Sequence, residues 1–98
     1  MKERDIKKLA IELLDKLGYF YWFPHNTWGE RDIFGVFDFC AVSKFGHFMF
    51  VQITTIDHIS HRRHKIQNFF SGIGAPVRNA YIWAWDKKKE RFKIEKVV

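Results

Sequence analysis

The chain has 98 residues, of which 47% are apolar and 18% aromatic, and its formal net charge is +6. This length fits one domain, residues 1–98, and the composition argues against a disordered chain. The single cysteine excludes an internal disulfide and a cysteine zinc cluster. The charged start MKERDIKK is unlike a signal peptide, and no apolar run has the ~18 residues of a membrane helix. We therefore expect a cytoplasmic domain without a membrane partner, and the basic charge favours nucleic acid as the partner.

Two segments are predicted to be helical. Apolar residues at helical spacing mark residues 2–17, and Gly18 suits the left-handed conformation that ends a helix. The stripe of this first helix consists of Ile6, Leu9, Ala10, Leu13, Leu14 and Leu17. A second helix is expected from Ser60, as its N-terminal cap, to the breaker sequence at 71–76. Its stripe consists of Ile59, Ile66, Phe69, Phe70 and Ile73.

Strands are predicted in five apolar or alternating segments. These are residues 19–23, 36–43, 47–54, 79–85 and 91–97. Residues 25–32 are expected to form a loop. The resulting order, α-β-β-β-α-β-β, indicates an α/β fold with a mixed sheet flanked by two helices.

Polar residues interrupt two of these apolar strands. Asp38 lies within VFDFCAV, and Gln52 and Thr54 lie within FMFVQITT. A carboxylate in an apolar interior is costly unless a partner compensates its charge. The cost points to a functional role for these three side chains.

The turn at 44–46 sets how the two strands pair. A three-residue loop ending in a left-handed Gly46 pairs Ser43 with His47. Counting back places Asp38 opposite Gln52, and residue 36 opposite residue 54. Opposed side chains share a face, so we expect a carboxylate, an amide oxygen and a hydroxyl to converge. A two-residue turn would separate them.

Cations are expected beside this polar group. Arg62 and Arg63 share the helical azimuth of the apolar stripe and should point towards the sheet, with Lys65 on the flank. Oxygen ligands suit one divalent metal, which lowers the pKa of a bound water. The cations would hold the scissile phosphate. The combination suits hydrolysis of a phosphodiester.

The order of the elements and the polar residues of the second and third strands resemble a known family. The αβββαβ order, the Asp on the second strand and the polar-x-polar pair on the third resemble the PD-(D/E)XK nuclease superfamily. The stretch RDIFGVFDFCAV, followed by FVQITT and SHRRHK, is similar to its small Holliday-junction-resolvase-like and VRR-type members. The resemblance implies a restriction-endonuclease-like core and a DNA endonuclease that depends on Mg2+ or Mn2+. It also implies a homodimer.

The same resemblance assigns roles to particular positions. Asp38 takes the place of the metal-binding Asp, and Gln52 that of the acidic residue of the D/E-x-K pair. Thr54 takes the place of the catalytic Lys, whose role would pass to Lys65 or to an arginine. The predicted catalytic residues are Asp38, Gln52, Thr54 and Lys65. The predicted DNA-binding residues are Arg31, Arg62, Arg63 and Lys65. Weaker acidic candidates are Glu12 on the first helix and Glu30 and Asp32 before the second strand.

Structural interpretations compete with each of these roles. Asp38 can cap a turn or form a buried ion pair. Gln52 and Thr54 can lie on a solvent-facing edge, and the arginines on an ordinary basic helix face. Zinc is disfavoured at the histidines, because His58, His61 and His64 drift around a helix. The aromatic residues of 81–85, with Trp22 and Trp28, can stack bases. Their burial under the first helix or in a dimer interface is favoured.

Two other functions remain open. A double-stranded-RNA-binding module also begins α-β-β-β-α with basic residues on its second helix, although two more strands follow here. A nuclease-fold protein without chemistry would bind DNA through its basic residues alone.

Overall fold

The structure is a computed structural model, which describes residues 2–25 and 32–98. Its helices and strands follow the predicted order. They are α1 (Glu3–Leu17), β1 (Phe20–Trp22), β2 (Phe39–Val42), β3 (Phe48–Thr55), α2 (Ile59–Ile73), β4 (Ala80–Asp86) and β5 (Arg91–Lys96). The radius of gyration, 13.1 Å, is that of a compact chain of this length. No helix within the described ranges has the length and apolar character needed to cross a membrane.

The five strands form one mixed sheet in the order β1-β2-β3-β4-β5. The pair β3–β4 is parallel, and the other three pairs are antiparallel. A parallel pair needs a crossover connection, and α2 supplies it. The α/β fold with a mixed sheet and two helices is therefore confirmed.

The helices lie on opposite faces of the sheet. On the first face, Ala10 and Leu14 of α1 pack against Phe39, Val51 and Trp83. This confirms that Trp83 is buried under the first helix. On the second face, α2 contributes Ile59 and Ile66 to a cluster that contains the small and aliphatic residues of β4. The alternation along β4 divides its side chains between the two cores.

Both ends of α1 agree with the sequence. Its apolar stripe faces the sheet, and Gly18 follows it with φ +71°. The start of α2 differs from the prediction. A short 3-10 turn, Ile56–His58, precedes the helix, and His58 is the capping residue. Ser60 lies inside the helix, so its prediction as the cap is wrong. The helix ends at Ile73, before a left-handed Gly74.

The β2–β3 hairpin has the predicted register. The N–H of Ser43 donates to the carbonyl of His47 at 2.9 Å, and Gly46 has φ +82°. The strand β2 is shorter than predicted, because the chain turns between Ile33 and Phe37, where the N–H of Ile33 donates to the Phe37 carbonyl at 2.7 Å. Residue 36 therefore lies in this turn, and its predicted pairing with residue 54 is wrong.

Candidate functional site

The polar side chains of β3 lie beneath α2. Gln52 and Thr54 are in register with Ile82 and Ala84 of β4, whose side chains belong to the core on the α2 side. Gln52 is 3% exposed and Thr54 is 5% exposed. The strand is central in the sheet, so a solvent-facing edge is the wrong interpretation of these residues.

Asp38 lies immediately before β2 and bonds to β3 through both its backbone and its side chain. Its N–H donates to the carbonyl of Val51 at 2.8 Å, and its Oδ2 accepts from the N–H of Ile53 at 2.6 Å. Phe39 is the register partner of Val51, so two consecutive residues face one residue of β3. This is the arrangement of a β-bulge.

The bulge changes the predicted contact between Asp38 and Gln52. The regular ladder ends at Phe39 and Val51, so Asp38 and Gln52 do not form a regular cross-strand pair. The carboxylate instead occupies the place of the backbone carbonyl that a longer β2 would have offered to Ile53. The two bonds of Asp38, to Val51 and to Ile53, flank position 52, so Asp38 lies beside the backbone of Gln52.

The amide oxygen of Gln52 is the strongest sign of a ligand. Gln52 Oε1 is buried, and no hydrogen-bond partner lies near it in the described structure. Buried polar atoms are normally paired, and an unpaired one costs about 1–3 kcal/mol. An amide oxygen is a ligand type that Mg2+ and Mn2+ accept, and the next residue, Ile53, binds the Asp38 carboxylate.

Other metal ligands are not clustered in the described ranges. No group of three or more His, Cys, Asp or Glu side chains lies close enough together there to hold an ion. The histidines at positions 25, 47, 58, 61 and 64 are all exposed. Asp38 and Gln52 are the residues predicted to hold a divalent metal, and together they supply two protein ligands. This set leaves positions open for water and for a phosphate oxygen.

The three predicted cations of α2 have different surroundings. Arg63 forms a bidentate ion pair with Glu95 of β5, with N–O distances of 2.6 and 2.9 Å. Hydrogen bonding by Arg63 lowers the pKa of Glu95, and the carboxylate raises the pKa of Arg63. Arg62 is half-buried, and its Nε is buried without a hydrogen-bond partner among the described residues. Lys65 is half-buried.

Of the remaining candidates, the structure places two, and the others lie outside the described residues. Glu12 is exposed on α1, which packs on the opposite face of the sheet. Asp32 is half-buried beside the turn that precedes β2. Arg31 and Glu30 lie outside the described residues, and so does Trp28.

A groove with three basic side chains in its lining was not predicted. It has a volume of about 520 Å³. Its lining consists of Ile56, Asp86, Lys89, Arg91, Phe92 and Lys93. Lys93 is in register with Ala84, which is in register with Thr54, so one row of the sheet joins the groove to β3. The charge excess of residues 86–96 was visible in the sequence, but its position two strands from β3 depends on the pairing of β5 with β4.

No protein-family model matches this chain, and the comparisons with curated proteins and with solved structures found no match.

Proposed function

We propose that the chain is a DNA endonuclease that depends on Mg2+ or Mn2+ and has a restriction-endonuclease-like core. The proposal depends on the amide oxygen of Gln52, which is buried without a hydrogen-bond partner in the described structure, next in sequence to the Ile53 N–H that binds the Asp38 carboxylate. A structural role alone leaves the cost of this oxygen unexplained, whereas a metal ligand would satisfy it. The element order and the mixed sheet also agree with the nuclease resemblance.

Each side chain of the site has a role in this proposal. Asp38 and Gln52 hold the metal, and the Ile53 N–H orients the carboxylate. When bound, the metal supplies an activated water and neutralises charge on the scissile phosphate. Thr54 offers a hydroxyl that positions water or phosphate.

The proposed DNA-binding surface is basic. Arg62 has a buried Nε with donor capacity to spare, and Lys65 follows it one helical turn on. Arg63 contributes positive charge while its ion pair with Glu95 holds α2 over β5. The groove of Lys89, Arg91 and Lys93 extends this surface for a polyanion. DNA binding should therefore weaken as salt rises.

A second candidate is a nuclease-fold protein that binds DNA without cutting it. The observation that favours it is the buried Thr54 at the position where the resembled family has its lysine. Arg63 is bound to Glu95, so it is not available to replace the catalytic lysine of that family. The double-stranded-RNA module gains no such support, because β4 and β5 continue the same sheet after α2.

Cleavage of labelled DNAs with Mn2+ separates the two candidates. The panel contains linear duplex, single strand, flap and four-way junction. The informative variant is Asp38→Asn, which keeps an oxygen for the Ile53 N–H and removes the charge that a metal needs. The matched control is Asp5→Asn, on α1 at the opposite face. The endonuclease proposal expects cutting by the wild type and the control, abolished by Asp38→Asn and by chelator. Salt-sensitive binding without cutting, unchanged in Asp38→Asn, would establish the second candidate instead.

A further inference from the structure

A strained turn just before Asp38 presents an aromatic ring to solvent. Phe34 and Gly35 both have a left-handed backbone, with φ +56° and +70°. They are the central residues of a tight turn, in which the N–H of Val36 donates to the Ile33 carbonyl at 3.0 Å. Such a turn prefers Asn, Asp or Gly at both positions, because a bulky side chain is strained there. The Phe34 side chain is 68% exposed, so its own burial does little to offset the strain.

Other aromatic rings hold the Phe34 ring in position. It stacks on Phe69 of α2, with ring centroids 5.8 Å apart and an interplanar angle of 16°. It also lies 6.2 Å from the Phe50 ring of β3. Because the ring is stacked on one side and largely exposed, its open side can accept another planar ring. Backbone strain that persists at such a position is a feature of ligand-binding and active sites.

Further aromatic side chains continue this surface across the sheet. On the α2 side of β1, β2 and the first half of β3, alternate side chains are all apolar. They are Phe20, Trp22, Cys40, Val42, Phe48 and Phe50. The rings on β1 and β3 flank a groove of about 370 Å³, and Phe20 is 83% exposed, Phe48 63% and Trp22 51%. An exposed apolar patch of this extent marks an interaction site. We call Phe34 and the four aromatic residues of the groove the aromatic surface.

Positive charge lies along one side of the aromatic surface. Lys65 precedes Phe69 by one turn of α2, and Arg62 precedes Lys65 by another, so all three share one flank of the helix. The Nε of Arg62 has no hydrogen-bond partner among the described residues. An occupant with flat apolar rings and a negatively charged backbone complements both features. A second copy of this chain would offer apolar rings, but it carries the same net charge of +6.

We propose that the aromatic surface binds the unpaired bases of single-stranded DNA, and that a single strand is the substrate of the Asp38 and Gln52 site. Aromatic side chains stack on the faces of bases with little dependence on sequence. In a duplex those faces are covered by neighbouring base pairs, so the surface selects unpaired bases. Phe50 and Gln52 lie two positions apart on β3, with both side chains on the α2 side. The aromatic surface therefore begins about 7 Å along the strand from the site.

The cleavage of the bound strand rests on the endonuclease proposed above, whereas its binding needs no metal. The test is therefore fluorescence anisotropy in chelator, where binding is measured without cutting. Three 5′-labelled probes are compared: a single strand, a duplex of the same length, and a strand of the same length whose central residues are abasic. The abasic strand keeps the phosphates and lacks the bases. We expect the single strand to bind more tightly than the duplex and at least ~10-fold more tightly than the abasic strand.

Phe34→Asn is the informative variant. Asparagine is preferred at a left-handed turn position, so the fold should remain, as far-UV circular dichroism will check. The variant should weaken binding of the single strand by about 10-fold and leave binding of the abasic strand unchanged. Phe20→Ala combined with Phe48→Ala should have the same effect at the other end of the surface. The matched control is Ile94→Ala, which changes an exposed apolar residue of β5 on the α1 side and should leave the dissociation constant unchanged.

Lys65→Gln tests the charge separately from the stacking. It removes one cation, so it should weaken binding of all three probes and reduce the dependence of the dissociation constant on salt. An equal loss for the abasic strand and the single strand distinguishes this effect from that of Phe34→Asn.

A duplex bound as tightly as the single strand, or a Phe34→Asn variant that binds like the wild type, would overturn the proposal. So would failure of the single strand to bind, together with a dimer that Phe20→Ala with Phe48→Ala dissociates, which would assign the surface to a second copy. Failure of the endonuclease proposal gives a different result. A single strand bound through the aromatic surface but not cut in Mn2+ would support the binding assignment alone. Cutting of duplex by the wild type and Phe34→Asn alike would support the endonuclease and overturn the present inference.

Discussion

The bond between Asp38 and Ile53 allows the structural role of the carboxylate to be separated from a chemical one. In Asp38→Ala the N–H of Ile53, in the middle of β3, loses the acceptor at 2.6 Å. A hydrogen bond to a charged group contributes about 1.5–3 kcal/mol. We therefore expect Asp38→Ala to lose about 2 kcal/mol of unfolding free energy. For a domain of this size, this corresponds to a Tm lower by roughly 8–16 °C. In Asp38→Asn the amide oxygen still accepts from Ile53, so the loss should be about 1 kcal/mol or less.

The assay is urea unfolding of the wild type and both variants, first in chelator and then with Mn2+. In chelator the order of stability should be wild type, Asp38→Asn, Asp38→Ala. A ligand that binds the native state raises its stability by mass action, so Mn2+ should stabilise the wild type alone. Equal stability of Asp38→Asn and Asp38→Ala would refute the role of the oxygen as acceptor. Stabilisation of Asp38→Asn by Mn2+ to the wild-type extent would place the metal elsewhere.

Two further predictions concern the neighbours of this site. Gln52→Leu removes an unpaired buried oxygen, so it should raise the unfolding free energy by about 1 kcal/mol while abolishing stabilisation by Mn2+; a thermal melt that falls instead would mean that the oxygen has a partner. Glu95→Gln breaks the ion pair with Arg63, which is partly exposed and should therefore contribute only slightly to the unfolding free energy at neutral pH. Because Arg63 lowers the pKa of Glu95 below 4.5, this contribution is complete above pH 4.5 and disappears as the pH falls through the lowered pKa. Urea midpoints of the wild type and Glu95→Gln should therefore converge in acid, and a difference independent of pH would contradict the assignment.

Local patterns predicted the elements of the fold well. The apolar stripe of α1 and the left-handed Gly18 depend on neighbours within one or two helical turns, and the structure contains both. The β2–β3 register followed from the turn, because a three-residue loop that ends in a left-handed Gly46 pairs Ser43 with His47. Where the prediction was wrong, hydrogen bonds between residues distant in the chain determined the local structure. Asp38 forms a bulge because β3 offers it the Val51 carbonyl and the Ile53 N–H, which no pattern within VFDFCAV reveals.

Arg62 and Arg63 show the same difference between what local spacing predicts and what the assembled sheet determines. Helical spacing placed Arg62 and Arg63 on the sheet side of α2, but it could not distinguish their partners. The pairing of β5 with β4 brings Glu95 beneath Arg63, whereas the Nε of Arg62 has no hydrogen-bond partner among the described residues. The contact between Arg63 and Glu95 joins residues 32 positions apart, so it depends on the sheet being assembled.

By itself, the sequence determined the number, order and type of the elements, because periodicity, turn residues and helix ends act over a few residues. It also identified the polar intrusions of the third strand. The tertiary structure decided what surrounds them: which oxygen is buried without a partner among the described residues, and which arginine forms an ion pair. These properties depend on how β4 and β5 pair and on where α2 crosses the sheet. Only the packed sheet brings together residues that are distant in the chain.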